Sequence, residues 1–211
     1  MKVTAVTVAA LLAAAQSFAQ GADTTQTAKS TGIHFGVDFG ADYSTLHTAN
    51  TDQQTIKDVK NTKQAGFSMG LVAEYAFSKQ LSVILNPELS YDNTSLSVLH
   101  TDNSHYTYQT LVTAGAAALV KYRIVKCPVN PYLVLGAQYE LPIVTAAMNG
   151  ADQMVRPNVS LDLGIGMKRA FPNFVFAPEI RYAYGLSNIG AVPGIQETRR
   201  QTVSVILSFG G

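Results

Sequence analysis

The chain is short of charge. Asp, Glu, Lys and Arg make up 14% of its 211 residues, against about 25% in ordinary soluble domains. What charge there is nearly cancels, at +1. A chain so balanced has no basic field for nucleic acid and no acidic tail. Tryptophan is absent and cysteine occurs once, as Cys127, which excludes an intramolecular disulfide framework. Cys127 is expected to be an inert residue in a turn. Long apolar runs are missing as well. After the opening segment, none approaches the roughly 18 residues a spanning helix needs.

The opening segment reads MKVTAVTVAALLAAAQSFAQ. Lys2 supplies a positive start, Val3 to Ala15 an apolar core, and Ser17-Phe18-Ala19 small residues before a cut near Gln20. This is the pattern of a secretory signal peptide, assigned to residues 1–19. Residues 20–31 are read as a short periplasmic segment and 32–211 as the folded domain.

What fills the domain is strict period-two alternation, which puts two sets of side chains on opposite faces of a β-strand. In GIHFGVDFGADY, residues 32–43, Ile33, Phe35, Val37, Phe39, Ala41 and Tyr43 alternate with polar or tiny residues. Seven further stripes follow, at 67–77, 81–91, 112–122, 133–141, 159–167, 174–184 and 203–209. The fourth contains TAGAAALV, whose alanines also suit a helix on propensity; Lys121 and Arg123 on its polar side favour a strand. The connections alternate in length. Residues 44–64, 93–105, 143–154 and 187–200 are long, whereas 78–80, 124–130 and 169–173 are shorter. That predicts an all-β, eight-stranded antiparallel up-and-down barrel with one elaborated end. NPELSY at 86–91 and APEIRY at 177–182 hint at weak internal repetition.

Alternation fits a soluble barrel with apolar residues inside, or a transmembrane one with apolar residues facing lipid. The polar face decides between them. A soluble surface would be rich in Lys, Glu and Arg; here it is mostly Gly, Ser, Thr, Ala and Asn. Small residues suit a crowded lumen. Charges among them require partners when buried, so a lumenal charge network is expected from Asp38, Glu74, Glu88, Lys121, Arg123, Asp162, Lys168, Glu179 and Arg181. Asp42, Asp92, Glu140 and Arg156 are further members of the same face. Tyr43, Tyr91, Tyr139 and Tyr184 fall toward the long loops, and Phe77, Tyr122, Phe174 and Phe209 toward the short turns. These make two interfacial aromatic girdles. Pro87 and Pro178 run against the reading, because each removes a ladder donor from inside a strand.

Several segments together resemble the PorT-like outer-membrane β-barrel family of Gram-negative bacteria, especially the Bacteroidetes type. They are GIHFGVDFGADYSTL, GFSMGLVAEYAFSKQLSVILNPELSY, LVKYRI, PYLVLGAQYEL, VSLDLGIGMKR and APEIRYAYGLSNI, and they extend from about Gly32 to Phe209. The resemblance implies the cell outer membrane and an OmpX/OmpA-like barrel without a defined activity. Its namesake branch is linked to type IX secretion and gliding.

No catalytic signature is present, and neither a metal nor a cofactor is expected. His100 and His105 lack a third ligand, and His34 beside Asp38 reads as an interior histidine. Gly164-x-Gly166 lies inside a strand with no helix after it, so it is not a phosphate loop. An eight-stranded barrel is just wide enough for its own side chains to fill. The expected function is therefore structural or surface-interacting, with a filled lumen. A secretion accessory, and then a small pore or lipid hydrolase, are the alternatives. Expected partners are outer-membrane lipids, the barrel assembly machinery and an envelope or surface partner at the long loops. Neither nucleic acid nor a second copy is expected.

Overall fold

The computed structural model describes residues 32–51, 56–62, 64–100, 105–124, 130–148, 156–189 and 195–210. The assignments made for residues 1–31 and for Cys127 lie outside them. The strands in chain order are β1 (Gly32–Thr51), β2 (Ile56–Thr62), β3 (Gln64–Ala76), β4 (Leu81–His100), β5 (His105–Arg123), β6 (Pro131–Met148), β7 (Asn158–Met167), β8 (Arg169–Ala170), β9 (Val175–Gly185) and β10 (Ile195–Gly210). β2 and β3 both pair β4 and form one stave; β7 and β8 both pair β9 and form another. Ten strands less these two joins make eight staves. All pairings are antiparallel, and β10 returns to β1, which closes the barrel. The fold is the eight-stranded antiparallel barrel that the alternation predicts.

The register fixes the shape. A row of paired residues runs His34, Glu74, Ile84, Leu119, Gly136, Asp162, Ala183, Thr202 and back to β1 at Ser44. From 34 to 44 is ten residues, the stagger of one circuit. Eight staves with that stagger tilt by roughly 35–45° from the axis, with an interior that side chains can fill.

Burial is inverted relative to a soluble protein. Outside, Phe35 is 68% exposed and Ile33 63%; inside, Asp162, Asn86 and Ser82 are 0%. An exposed belt of Phe, Leu, Ile and Val around a buried polar interior is the arrangement that hydrocarbon requires. The alanine-rich segment is a strand. Ala114, Ala116 and Ala118 pair with Leu89, Pro87 and Leu85 on one side and with Leu141, Tyr139 and Ala137 on the other. Two ladders override a helical preference.

The long connections need correction. The expected loops at 44–64, 93–105, 143–154 and 187–200 each contain stretches of strand: β1 reaches Thr51, β2 occupies 56–62, β4 reaches His100, β5 starts at His105, β6 reaches Met148 and β10 starts at Ile195. Polar pairs such as Ser95↔Gln109 and Ser97↔Thr107 carry the ladder onward. A strand that rises past the lipid belt has no apolar face to show, so its alternation stops while its hydrogen bonds continue. The β4–β5 register also slips between Tyr91 and Thr94.

The two prolines are accommodated differently. Phe77 N donates to Leu81 O, and antiparallel ladders bond every second pair, so Leu71↔Pro87 is a pair in which residue 87 should donate. Proline cannot. Instead the Asn86 side chain donates to Leu71 O at 3.0 Å. On the other side of the barrel, Phe171 N donates to Phe174 O, which makes Met167↔Pro178 a bonding pair by the same count. There the ladder lapses: pairing with β9 ends at Gly166↔Glu179 and resumes at Arg169↔Phe176.

Candidate functional site

The polar residues converge in the lumen, which divides into three zones along the axis. At the short-turn end, the Glu74 carboxylate of β3 is met by Lys121 Nζ at 3.1 Å and Lys168 Nζ at 3.5 Å. Ser82 Oγ donates to it at 2.7 Å. Lys121 also sits 4.2 Å from the Tyr132 ring centroid, a cation–π contact that suits a desolvated ammonium. The Tyr132 ring lies against Gly166, where any Cβ would collide with it. A glycine on one stave makes room for a tyrosine on the next.

Above this zone an apolar cluster packs inside the barrel, made of Ile84, Ala117, Leu119, Tyr132, Val134 and Ala177, with Val72 against it. Sequence reading treats this face as polar and misses it. The signal was weak because these residues sit beside outward apolar neighbours, as in Val83-Ile84-Leu85.

The third zone lies toward the long connections. Arg181 bonds Glu179 through Nε at 2.8 Å and NH2 at 2.7 Å, and donates to Asn86 Oδ1 at 3.4 Å. Asn86 in turn donates to Asp38 at 3.0 Å. Beyond them is a cavity of ≈ 30 Å³ bordered by Asp42, Glu88, Glu140, Arg181, Arg200 and several hydroxyl side chains. Arg200 pairs with Glu140, which also accepts from Asn158 Nδ2 at 2.6 Å. Gln138 and Ser90 donate to Glu88, and Ser160 donates to Asp162 at 2.8 Å. Two carboxylate atoms, Asp42 Oδ2 and Asp162 Oδ2, are buried without a hydrogen-bond partner.

Of the residues predicted from sequence, Glu74 meets Lys121 and Lys168, and Glu179 meets Arg181. Asp38, Glu88 and Asp162 lie in the third zone, bonded to neutral groups. Arg123 stands apart at the turn: it donates to Ser78 O at 3.4 Å, and its Nε has no partner. Among the described residues it forms no ion pair. Arg156 is exposed rather than lumenal, and the Asp92 side chain lies outside the described set. Arg200 was missed because it fell in an expected loop, while its arginine pair with Glu140 needs the upward extension of β10.

His34 is half-buried on the inner face, across from Glu74. The side chains of His100 and His105 lie outside the described set. Among the described residues, no three His, Cys, Asp or Glu side chains converge as metal ligands.

The aromatic residues expected in the two girdles lie on the outer face. Tyr43, Phe77, Tyr91, Tyr122, Tyr139, Phe174 and Tyr184 are exposed. Phe67 stacks on Tyr91 with centroids 5.4 Å apart. Phe209 is half-buried among Phe176 at 5.3 Å, Phe174 at 6.4 Å and Phe39 at 6.5 Å.

A known family agrees with this architecture. The family model described as outer membrane protein beta-barrel domain matches residues 15–190. β10, which closes the barrel, begins after that match at Ile195. Among solved structures, the attachment invasion locus protein Ail of Yersinia pestis is 16% identical, covering 85% of this chain and 99% of its own, with a TM-score of 0.45. Neisserial surface protein A is 18% identical, with 84% and 97% covered and a TM-score of 0.45. OprG from Pseudomonas aeruginosa is 15% identical, with 84% and 92% covered and a TM-score of 0.48. No curated protein matches the chain.

Proposed function

We propose that this chain, which belongs to the outer membrane protein beta-barrel domain family, is a side-chain-filled barrel with a structural or surface-interaction role. Its location is the outer membrane. The observation that supports a filled barrel is the apolar cluster of Ile84, Leu119, Val134 and Tyr132, stacked on the Glu74–Lys121–Lys168 charges. These side chains lie inside the barrel. On this reading the protein has no catalytic activity and works through its long-connection end, which faces outward. The short turns and both chain termini face the periplasm, and the barrel assembly machinery inserts it as a monomer.

Purified protein in planar bilayers tests the reading: it gives no single-channel steps and turns over no lipid. Steady conductance would replace it with a pore, and lipid hydrolysis with an enzyme. The lipid-facing assignment has its own test. Leu163 is 56% exposed on the outer face of β7, and Leu163→Arg costs roughly 2–4 kcal/mol at mid-bilayer depth. Equal folding of variant and parent in bilayers would overturn that assignment.

A second reading, an accessory role in protein export, rests on the resemblance of the PELSY and RYAYGLSNI segments to the PorT-like family. Its test is a deletion strain. Export substrates stranded in the periplasm would favour it; an unchanged secreted profile favours the surface role.

A further inference from the structure

We infer that the lumenal cavity near the long connections is a binding site for a small monovalent cation of the alkali-metal or ammonium class. The argument starts from charge. Six carboxylates occupy this zone: Asp38, Asp42, Glu88, Glu140, Asp162 and Glu179. Two arginines face them, Arg181 and Arg200, and these form ion pairs with Glu179 and Glu140. The hydrogen bonds that reach Asp38, Glu88 and Asp162 come from the neutral groups of Asn86, Ser90, Gln138 and Ser160. An ionised carboxylate held out of water needs a counter-charge.

The second observation is a buried carboxylate oxygen left without a partner on a residue that borders the cavity. Asp42 borders the cavity and is 7% exposed, and its Oδ2 has no hydrogen-bond partner. The space beside it is ≈ 30 Å³, more than the roughly 10–15 Å³ a single water needs and far below that of an organic ligand. Its lining offers oxygen ligands in the carboxylates of Asp42 and Glu88 and the hydroxyls of Ser68, Ser90, Thr202 and Ser204, beside the guanidiniums of Arg181 and Arg200, which pair with Glu179 and Glu140. Oxygen ligands select hard cations. The lack of three converging His, Cys, Asp or Glu side chains among the described residues sets aside a chelated divalent or transition metal. What fits is a partly hydrated monovalent ion held by one or two carboxylates and several hydroxyls. The site does not depend on what the long connections contact.

The experiment uses the whole refolded protein in detergent micelles. Thermal unfolding is followed by gel mobility at fixed pH, in KCl and in choline chloride of equal ionic strength. Potassium raises the midpoint saturably over choline, and Asp42→Asn removes that difference while folding normally in choline. Glu88→Gln is the second variant if Asp42→Asn does not fold, and it weakens the potassium response. Crystals soaked in rubidium chloride show an anomalous peak beside Asp42. Equal midpoints in the two salts, with stability that follows pH alone, would mean that protons balance the acids and would overturn the inference. An unchanged potassium response in both variants, or a rubidium peak elsewhere, would do the same.

Discussion

The two ends of the lumen solve the problem of buried charge in opposite ways. At the short-turn end one carboxylate, Glu74, is met by two lysines. Toward the long connections six carboxylates face two arginines. One acid is overcompensated and the others are undercompensated, with the apolar cluster packed in the same lumen. The first arrangement is closed: each charge has a partner of opposite sign, and a ring and a hydroxyl complete the shell. The second leaves two carboxylate oxygens without hydrogen-bond partners, one of them, Asp42 Oδ2, beside a cavity. A closed network favours one rigid arrangement of the lumen, whereas an open one retains capacity to take up a cation or a proton.

The largest expected effect breaks the closed end. Glu74→Gln removes the counter-charge of Lys121, whose side chain is 6% exposed, and of Lys168. Leaving a buried charge unanswered costs about 3–5 kcal/mol. Denaturant unfolding of the refolded barrel reads it as a lower midpoint. A loss below about 1 kcal/mol, the range of exposed pairs, would mean that water reaches Lys121 and that this end is not sealed.

The outward half of this barrel was legible in the sequence because lipid imposes one rule on every outward position. Ile33, Phe35 and Val37, or Leu161, Leu163 and Ile165, repeat without a charged interruption. The inward half obeys no such rule. Ile84 and Leu119 are inside because they fill space next to each other across the β4–β5 register, and a chain read strand by strand does not show that register. Arg200 was hidden for a related reason. It stands on a part of β10 where residues on both faces are polar, and its partner Glu140 is three staves away around the barrel wall. Pro87 looked like a fault in the strand until the adjacent Asn86 was seen to replace its missing donor.

That repair sits at the border of the two zones and gives the intermediate effect. Asn86 donates to Leu71 O and to Asp38, and accepts from Arg181. Asn86→Ala leaves a buried carbonyl and a buried carboxylate short of donors, at a cost of about 1–3 kcal/mol. Pro87→Ala in the same chain restores a backbone N–H opposite Leu71 and recovers part of that loss. The recovered part measures the ladder repair, and the remainder measures the link between Asp38 and Arg181. If Pro87→Ala recovers nothing, the side chain of Asn86 is not standing in for the backbone donor.

The smallest effect is the most discriminating, because its sign is expected to differ from that of Glu74→Gln although the chemistry is the same. Asp162 is fully buried; Ser160 donates to one oxygen and the other has no partner. Its surroundings pull both ways, with Arg181 attracting and Glu140 and Glu179 repelling. Asp162→Asn keeps the shape and the bond from Ser160 while lowering the number of acids in the zone. In choline buffer, where no small cation answers the excess, the amide changes stability by less than about 1 kcal/mol, toward greater stability, since an uncompensated buried charge is itself the cost. Potassium narrows the gap, because the parent then gains what the variant no longer needs. A loss of the size seen for Glu74→Gln would mean that Arg181 fully compensates Asp162, and the two ends of the lumen would then follow one rule instead of two.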